Sequence, residues 1–392
     1  MKIKKLEQFA NTGYLLIAAA VLGLLISNLP TYQGFQNISN AIIQIPFLHI
    51  SIENFVEEGL LAIFFLNVGL DLKHEFIFGP FNNPKKAGLP IIAAAGGVIL
   101  PASIFAIIIF ATSNYDLLSG WAIPAVTDIA LSLAVLSFAT PKIKRNEKSH
   151  IRTFLMTLAV ADDIFGIMII ALFYSHTLNL PNLLFSLTGV VIWSAFTRFD
   201  AKGKWFILIP IAILSWYFML ESGVHTAIIG VLLGFTVNSA PKKGNWKSRI
   251  VKYENLTALF SGLFVLPIYI FFKMKINFSE IFNNILNGQN GQQLSILIIA
   301  VFTGLVIGKP LGIICFTKFT NRFTSFSLEK SITNADLYSI GFLAGIGFTV
   351  SFLIADLSYL AAITISAARL GIIIGSLISA IVGFLIFRKK AP

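Results

Sequence analysis

The stretch TLAVADDIFGIMIIALFYS, residues 157–175, decides how the rest of the chain is read. It is apolar over its whole length except for the adjacent carboxylates Asp162 and Asp163. An aspartate at the centre of a membrane helix costs about 2.5–3.5 kcal/mol to insert, so a neighbouring pair is tolerated only where something compensates it. A lipid-soluble helix carrying such a pair points to an ion or proton site inside a membrane protein.

The surrounding sequence supports that setting. The 392 residues are 56% hydrophobic and 12% charged, against about 25% charged residues in soluble domains. Apolar runs of about 20 residues, long enough to span a bilayer, recur from end to end. Hydropathy divides the chain into about twelve spans, at 12–29, 54–78, 88–111, 120–139, 150–175, 182–198, 204–220, 222–238, 251–272, 293–316, 335–356 and 361–387. The expected fold is an all-α polytopic membrane protein, with residues 1–392 forming one integral transporter domain. The basic start followed by an apolar run is expected to be a first span rather than a cleaved signal.

Charge gives the expected orientation. Of the 29 basic residues, 25 fall at the termini, in alternate gaps between spans or at the span ends that border those gaps; Lys273, Lys275, Lys309 and Arg369 do not. Basic loops stay in the cytoplasm, so both termini are expected there, in a bacterial inner membrane. The same distribution argues against nucleic acid as the partner of the +11 net charge; membrane lipid is the expected one. The single cysteine, Cys315, excludes a disulfide framework or a multi-cysteine metal site and reads as a small buried hydrophobe. The outer segment 30–53 contains QIPFLHISI, which fits a short hairpin or an irregular loop equally well.

Two spans are interrupted. The fourth contains WAIPAVTDIALSL, with Pro124, Thr127 and Asp128; the eleventh contains GFLAGIGFTVSF, with Gly341, Gly345 and Gly347. Pro removes a helix hydrogen bond and Gly weakens the helix. Backbone freed at membrane depth survives only inside protein or beside water. The interruptions correspond if 88–175 and 293–387 are inverted repeats, which would place a site at the repeat interface. Glycines that merely let helices pack are the other reading.

Four ionisable residues stand well inside spans: Asp128, Asp162, Asp163 and Lys309. A structural ion pair between one aspartate and Lys309 leaves two further carboxylates unexplained. Desolvation disfavours the charged form of a carboxylate, and adjacent like charges titrate as a set. Carboxylates, the Thr127 hydroxyl and freed carbonyls are also the oxygen ligands a hard cation takes. Proton and cation then compete for one site, the minimum an exchanger requires. Asp162 and Asp163 point about 100° apart on a helix, so one faces the cation path while the other meets a neighbouring helix. A solute carrier coupled to protons or sodium is the alternative function. It would want a larger polar pocket, whereas the only convergent polar set suits a small cation. A membrane enzyme holding a divalent metal would want a third acid beyond ADDIFGI, and none is there; no enzyme activity and no cofactor are expected.

At these residues the chain resembles the NhaA-type sodium/proton antiporter family. The matching stretches are LAIFFLNVGLDLKHEF, GWAIPAVTDIALSLAVL, LAVADDIFGIMIIALFY, SGVHTAIIGVLLGF, GLVIGKPLGI and GFLAGIGFTVSFLIADLSY, in family order from the second span to the eleventh. The resemblance implies twelve spans with crossed, interrupted fourth and eleventh helices. It implies electrogenic exchange of sodium or lithium for protons, serving pH and sodium homeostasis. By position, Asp163 would be the central cation and proton carboxylate, with sodium at Asp163 and Asp128, Asp128 being its support on the broken helix together with Thr127, and Asp162 paired with Lys309. Asp71, Lys73, His74, Glu75 and His225 would carry the pH response. A homodimer through the outer segment after the first span is also implied. The chain departs from the family pattern at Phe165, where glycine is usual, at His74, where arginine is usual, at Asp71, where glutamate is usual, and at Lys273 and Lys275 in LPIYIFFKMKI.

Overall fold

The computed structural model describes residues 13–30, 32–45, 48–139, 145–175, 178–198, 203–238, 246–288, 290–324, 326, 328–329 and 331–390. Lys2, Lys4, Lys5, Lys142, Lys144, Lys202, Lys242, Lys243, Lys330 and His176 lie outside them. The described chain is overwhelmingly helical and forms two compact units, one built from residues up to 79 and 167–273, the other mainly from 80–166 and 274–392.

In the first unit the helix Leu61–Phe78 packs along Ala227–Thr236 at backbone distance. A Cβ at Gly69 would lie 2.3 Å from the Val231 carbonyl oxygen, and one at Gly234 would lie 2.2 Å from that of Leu66. Small residues permit such approach, and in lipid, where helices gain nothing from hiding apolar side chains, close packing is what holds them together. Leu70, Trp193, Leu208, Ile229 and Leu233 fill the core beside them, and Trp193 Nε1 donates to the Leu233 carbonyl at 3.0 Å. The segment left open between hairpin and loop is a two-stranded antiparallel hairpin, Ile42–Ile45 with Leu48–Ser51, Ile43 opposite Ile50.

In the second unit the helix Pro84–Ala111 packs on Lys309–Phe323, where a Cβ at Gly312 would lie 2.1 Å from the Gly96 carbonyl oxygen. Two helix pairs are bent. Tyr115–Ala125, wound as a 3-10 helix, meets Ile129–Ala139 at 49°, and Asn334–Ala344 meets Phe348–Ser358 at 42°. The helix Arg145–Phe173 contributes its residues up to Gly166 to this unit, and Gly291–Thr303 with Lys309–Phe323 and Ala362–Lys390 are its other long helices.

Among the described residues six helices are long and apolar enough to cross a membrane, or up to nine if each of three bent pairs counts once, the third being Tyr14–Ser27 with Tyr32–Asn40 in the first unit. This is a multi-pass membrane protein. The number is below the hydropathy count of about twelve for physical reasons. Leu61–Phe78 carries Asp71, Lys73 and Glu75 on its last turns, while Trp205–Leu220 and Ala227–Thr236 are only 16 and 10 residues long. Cys315 corrects the sequence reading: it is exposed on the outer face of Lys309–Phe323, not buried. Hydropathy reports that a helix is apolar and does not distinguish a face against protein from a face against lipid.

Candidate functional site

The second unit gathers Thr127, Asp128, Asp162, Asp163 and Lys309 around its two helix breaks. The order of the chain there follows from where each freed backbone group finds a partner, since at membrane depth none can rely on bulk water. The Asp128 N–H donates to the Ile346 carbonyl at 2.6 Å. Its carboxylate then serves both second half-helices. Oδ1 accepts the Leu131 N–H at 3.0 Å, and Oδ2 accepts the Thr349 hydroxyl at 2.8 Å and the Thr349 N–H at 3.2 Å. An anion is favoured at helix N-termini, where amides point outward unpaired, and one carboxylate meets two of them.

The carbonyl ends are satisfied reciprocally. The Thr127 hydroxyl donates to Ala344 O and the Ser132 hydroxyl to Leu343 O, each at 2.7 Å. The Ser351 hydroxyl donates to Ile123 O at 2.7 Å. Lys309 Nζ donates to Ala125 O at 2.5 Å, a cation at the end of the half-helix Tyr115–Ala125. Ser376 Oγ accepts the Gly347 N–H at 3.2 Å, beside Phe348, whose φ of +21° is outside the ordinary range for a side-chain-bearing residue.

Lys309 also donates to Asp162 Oδ2 at 2.7 Å, and both side chains are fully enclosed, at 0% and 1% exposure. Among the described residues the other oxygen, Oδ1, has no partner at hydrogen-bond geometry, although Thr127 stands close enough for its hydroxyl and backbone N–H to act on this carboxylate. Asp163, one residue on, is only half-buried and close enough to Lys309 for their charges to act on each other. The two carboxylates are therefore in different environments: Asp162 is enclosed and paired, Asp163 partly open.

Local sequence explains how the lysine arrives there. Residues Gly304–Gly308 form a π turn immediately before Lys309. Pro310 follows and has no N–H to give to the preceding turn, and a widened turn relieves the clash of its ring. Gly308 lets the turn sit against Pro101, whose Cα would be 2.6 Å from a Cβ there. Chemically, the site offers a half-open carboxylate, an enclosed carboxylate–ammonium pair, and a third carboxylate whose oxygens are occupied by helix starts. Among the described residues no three His, Cys, Asp or Glu side chains come together as a resident metal centre.

The remaining sequence candidates lie in the first unit. Asp71 Oδ2 accepts from Asn67 Nδ2 at 3.0 Å, and Asn67 Oδ1 accepts the Thr257 hydroxyl at 2.7 Å. His74 Nδ1 is 3.0 Å from Glu254 Oε2, and Glu75 lies within the same electrostatic cluster. Lys73 Nζ donates to the Val237 carbonyl, which ends the helix Ala227–Thr236. His225 is set apart from these. Its Nδ1 accepts the Ala227 N–H at 3.1 Å, and its Nε2 is 3.8 Å from Glu58, whose Oε2 accepts the Thr226 hydroxyl at 2.6 Å.

Sequence reasoning missed Thr349, Ser132, Ser351, Ser376 and Glu254. The hydroxyl residues Ser132 and Ser351 each stand four residues past a break residue, Asp128 and Gly347, a spacing that was available as a signal. Two buried ion pairs were missed as well. Arg369 is 2.5 Å from Asp356, and Lys273, 2% exposed, is 2.6 Å from Glu57. Lys273, which the sequence reading set apart from the family pattern, thus faces an acid. Removing one partner of a buried pair costs about 3–5 kcal/mol, so Lys273→Met is expected to lower thermal stability by up to that order. Adding Glu57→Gln should restore most of it, as read from thermal unfolding of the purified protein in detergent. Equal losses in the single and double variants would mean the pair contributes nothing.

Comparison with known proteins shows what the chain is similar to. The family model described as Na+/H+ antiporter 1 matches residues 4–387. A Na(+)/H(+) antiporter NhaA of Mycolicibacterium smegmatis is 36% identical over 381 residues, covering 96% of this chain and 85% of the relative. Proteins of the same name from Frankia casuarinae and Bifidobacterium adolescentis are 35% and 34% identical, covering 98% and 97% of this chain and 86% and 85% of the relatives.

Proposed function

The chain belongs to the Na+/H+ antiporter 1 family, and from that premise we propose that it exports sodium, or lithium, in exchange for entering protons, moving net charge as it does so. Asp163 is the carboxylate that takes cation and proton in turn, because it is the one intramembrane aspartate of the site with part of its surface open. Asp162 and Lys309 supply the second titrating set. Thr127 and Asp128 complete the oxygen shell when Thr349 releases Oδ2; until then Asp128 holds the two half-helices. The single observation that carries this reading is the enclosed Lys309–Asp162 pair standing next to the half-open Asp163.

The chain makes twelve spans in an inner membrane with both termini cytoplasmic; 88–175 and 293–387 are inverted repeats, and the two bent pairs of the second unit are their interrupted fourth and eleventh helices. The cluster Asp71, Lys73, His74 and Glu75 with Glu254, and separately His225 with Glu58, tune the response to pH. The hairpin 42–51 joins two copies.

Unequal loading sets the sign of the charge moved. If more than one proton enters for each sodium that leaves, positive charge moves inward, and an inside-negative potential contributes about 2.3 kcal/mol per net charge per 100 mV. Sodium efflux from proteoliposomes clamped with potassium and valinomycin should speed up when the interior is made negative and slow when it is made positive. Sodium-dependent proton movement that ignores the potential would mean electroneutral exchange. No sodium-dependent proton movement at all would remove the antiport reading.

A further inference from the structure

Just ahead of Gly291–Thr303 the chain makes a ten-residue helix, Phe278–Asn287, whose first turn is capped by the Asn277 side chain accepting the Glu280 N–H. At about 100° per residue its apolar side chains, Phe278, Ile281, Phe282, Ile285 and Leu286, fall in one arc of about 140°. Serine, glutamate and asparagines fill the other side. The protein covers only part of that arc. Ile281 is 1% exposed, and the helix rests on Gly291–Thr303 and Ala362–Lys390, but Phe282 and Leu286 point away at 54% and 77% exposure.

One helix therefore asks for three surroundings: protein for Ile281, an apolar medium for Phe282 and Leu286, and water for Glu280 and the asparagines. Only the edge of a bilayer, where it meets both protein and water, supplies all three. The level is right. The helix ends just before Gly291, the start of a long membrane helix. The turn entering Ala362–Lys390 exposes Leu360 completely. That turn is tied to the start of Tyr115–Ala125 by the Tyr359 hydroxyl donating to Leu117 O at 2.7 Å. There Tyr115 and Phe110, 58% and 54% exposed, meet edge to face at 5.7 Å. Exposed aromatic rings at span ends mark the headgroup level of a membrane.

We propose that Phe278–Asn287 lies flat in the membrane interface on this face of the second unit, with Phe282 and Leu286 seated in the acyl chains of the adjoining leaflet. The helix carries one acid and no base, so its attachment rests on apolar burial rather than on anionic lipid. It fixes the depth at which the second unit sits, since the helix cannot rise or sink without exposing one face to the wrong medium. This holds whatever the chain transports.

The test uses the full chain with Cys315→Ala, which removes the single native cysteine, and one new cysteine at a time: Phe282→Cys, Asn283→Cys, Leu286→Cys and Asn287→Cys. Each is spin-labelled and reconstituted in phosphatidylcholine vesicles. Collision rates with oxygen, which partitions into lipid, and with a neutral nickel chelate, which stays in water, are then compared. The oxygen-to-nickel ratio is expected to be several-fold higher at 282 and 286 than at 283 and 287, and unchanged on adding phosphatidylglycerol. Equal ratios at all four positions would place the helix in water and overturn the proposal. Labels at 282 and 286 shielded from both reagents, with short spin–spin distances between copies, would show a protein interface instead. A ratio that rises only with phosphatidylglycerol would show attachment by charge, also against the proposal.

Discussion

Asp163→Asn is expected to abolish sodium-dependent proton exchange in proteoliposomes while leaving the protein folded. An amide offers an oxygen to a cation but cannot give up or take a proton near neutral pH, so it cannot alternate between the two occupants. The contrast with Asp162 makes the prediction specific. Asp162 is enclosed and bonded to Lys309, so changing it disturbs the fold; Asp163 is half-buried. Asp163→Asn should therefore insert, purify and unfold at nearly the wild-type temperature, with transport reduced to background. Asp163→Glu, which keeps the titrating group on a longer stem, should retain a weakened activity. Wild-type exchange in Asp163→Asn would remove this residue from the proposed cycle.

Much of this site is legible in the sequence because the cost of charge in lipid makes every intramembrane ionisable residue conspicuous. Asp128, Asp162, Asp163 and Lys309 stand out for that reason, and Pro124 and the glycines at 345 and 347 announce backbone that cannot stay helical. The partners of the freed backbone are harder to read. A serine or threonine in a membrane helix ordinarily bonds back to its own chain, as Ser175 does to Ala171 O and Thr303 to Ile299 O. Nothing in residue type separates these from Ser351, which reaches a carbonyl 228 positions away, or Thr349, which reaches Asp128 across 221. Lys273 and Glu57 escaped for a different reason. Each stands near a span end, where a charge is expected to reach water, and only the fold shows that they face each other. The π turn before Lys309 left no mark in the apolar pattern, since Gly-Leu-Val-Ile-Gly fits either winding.

The second large effect is expected at Lys309. Among the described residues its ammonium makes two hydrogen bonds, to Asp162 Oδ2 and to the carbonyl of Ala125. Lys309→Ala strips both. A buried pair broken from one side costs about 3–5 kcal/mol, and an orphaned carbonyl adds about 1–3 kcal/mol. Protonation of Asp162 limits the first of these, because a buried acid left without its counter-charge turns neutral rather than stay ionised. The expected loss for Lys309→Ala is thus a few kcal/mol, close to the lower figure for the pair plus the carbonyl, and smaller in acid than in base. Asp162→Asn alone leaves the buried ammonium with neutral oxygens, those of Ala125 and the new amide, in place of its enclosed counter-charge, and should also destabilise. Combining Lys309→Ala with Asp162→Asn removes both charges and leaves only the carbonyl and a cavity beside Gly97, to whose Cβ position the lysine Cε comes within 3.8 Å. The double variant should therefore lose less than the two singles together, by about 0.5–3 kcal/mol, the usual range for coupled neighbours. Thermal unfolding of the three variants at one pH measures the coupling, and repeating Lys309→Ala across pH tests its sign. Losses that simply add would mean the two side chains stabilise the fold independently, leaving the 2.7 Å contact without energetic weight.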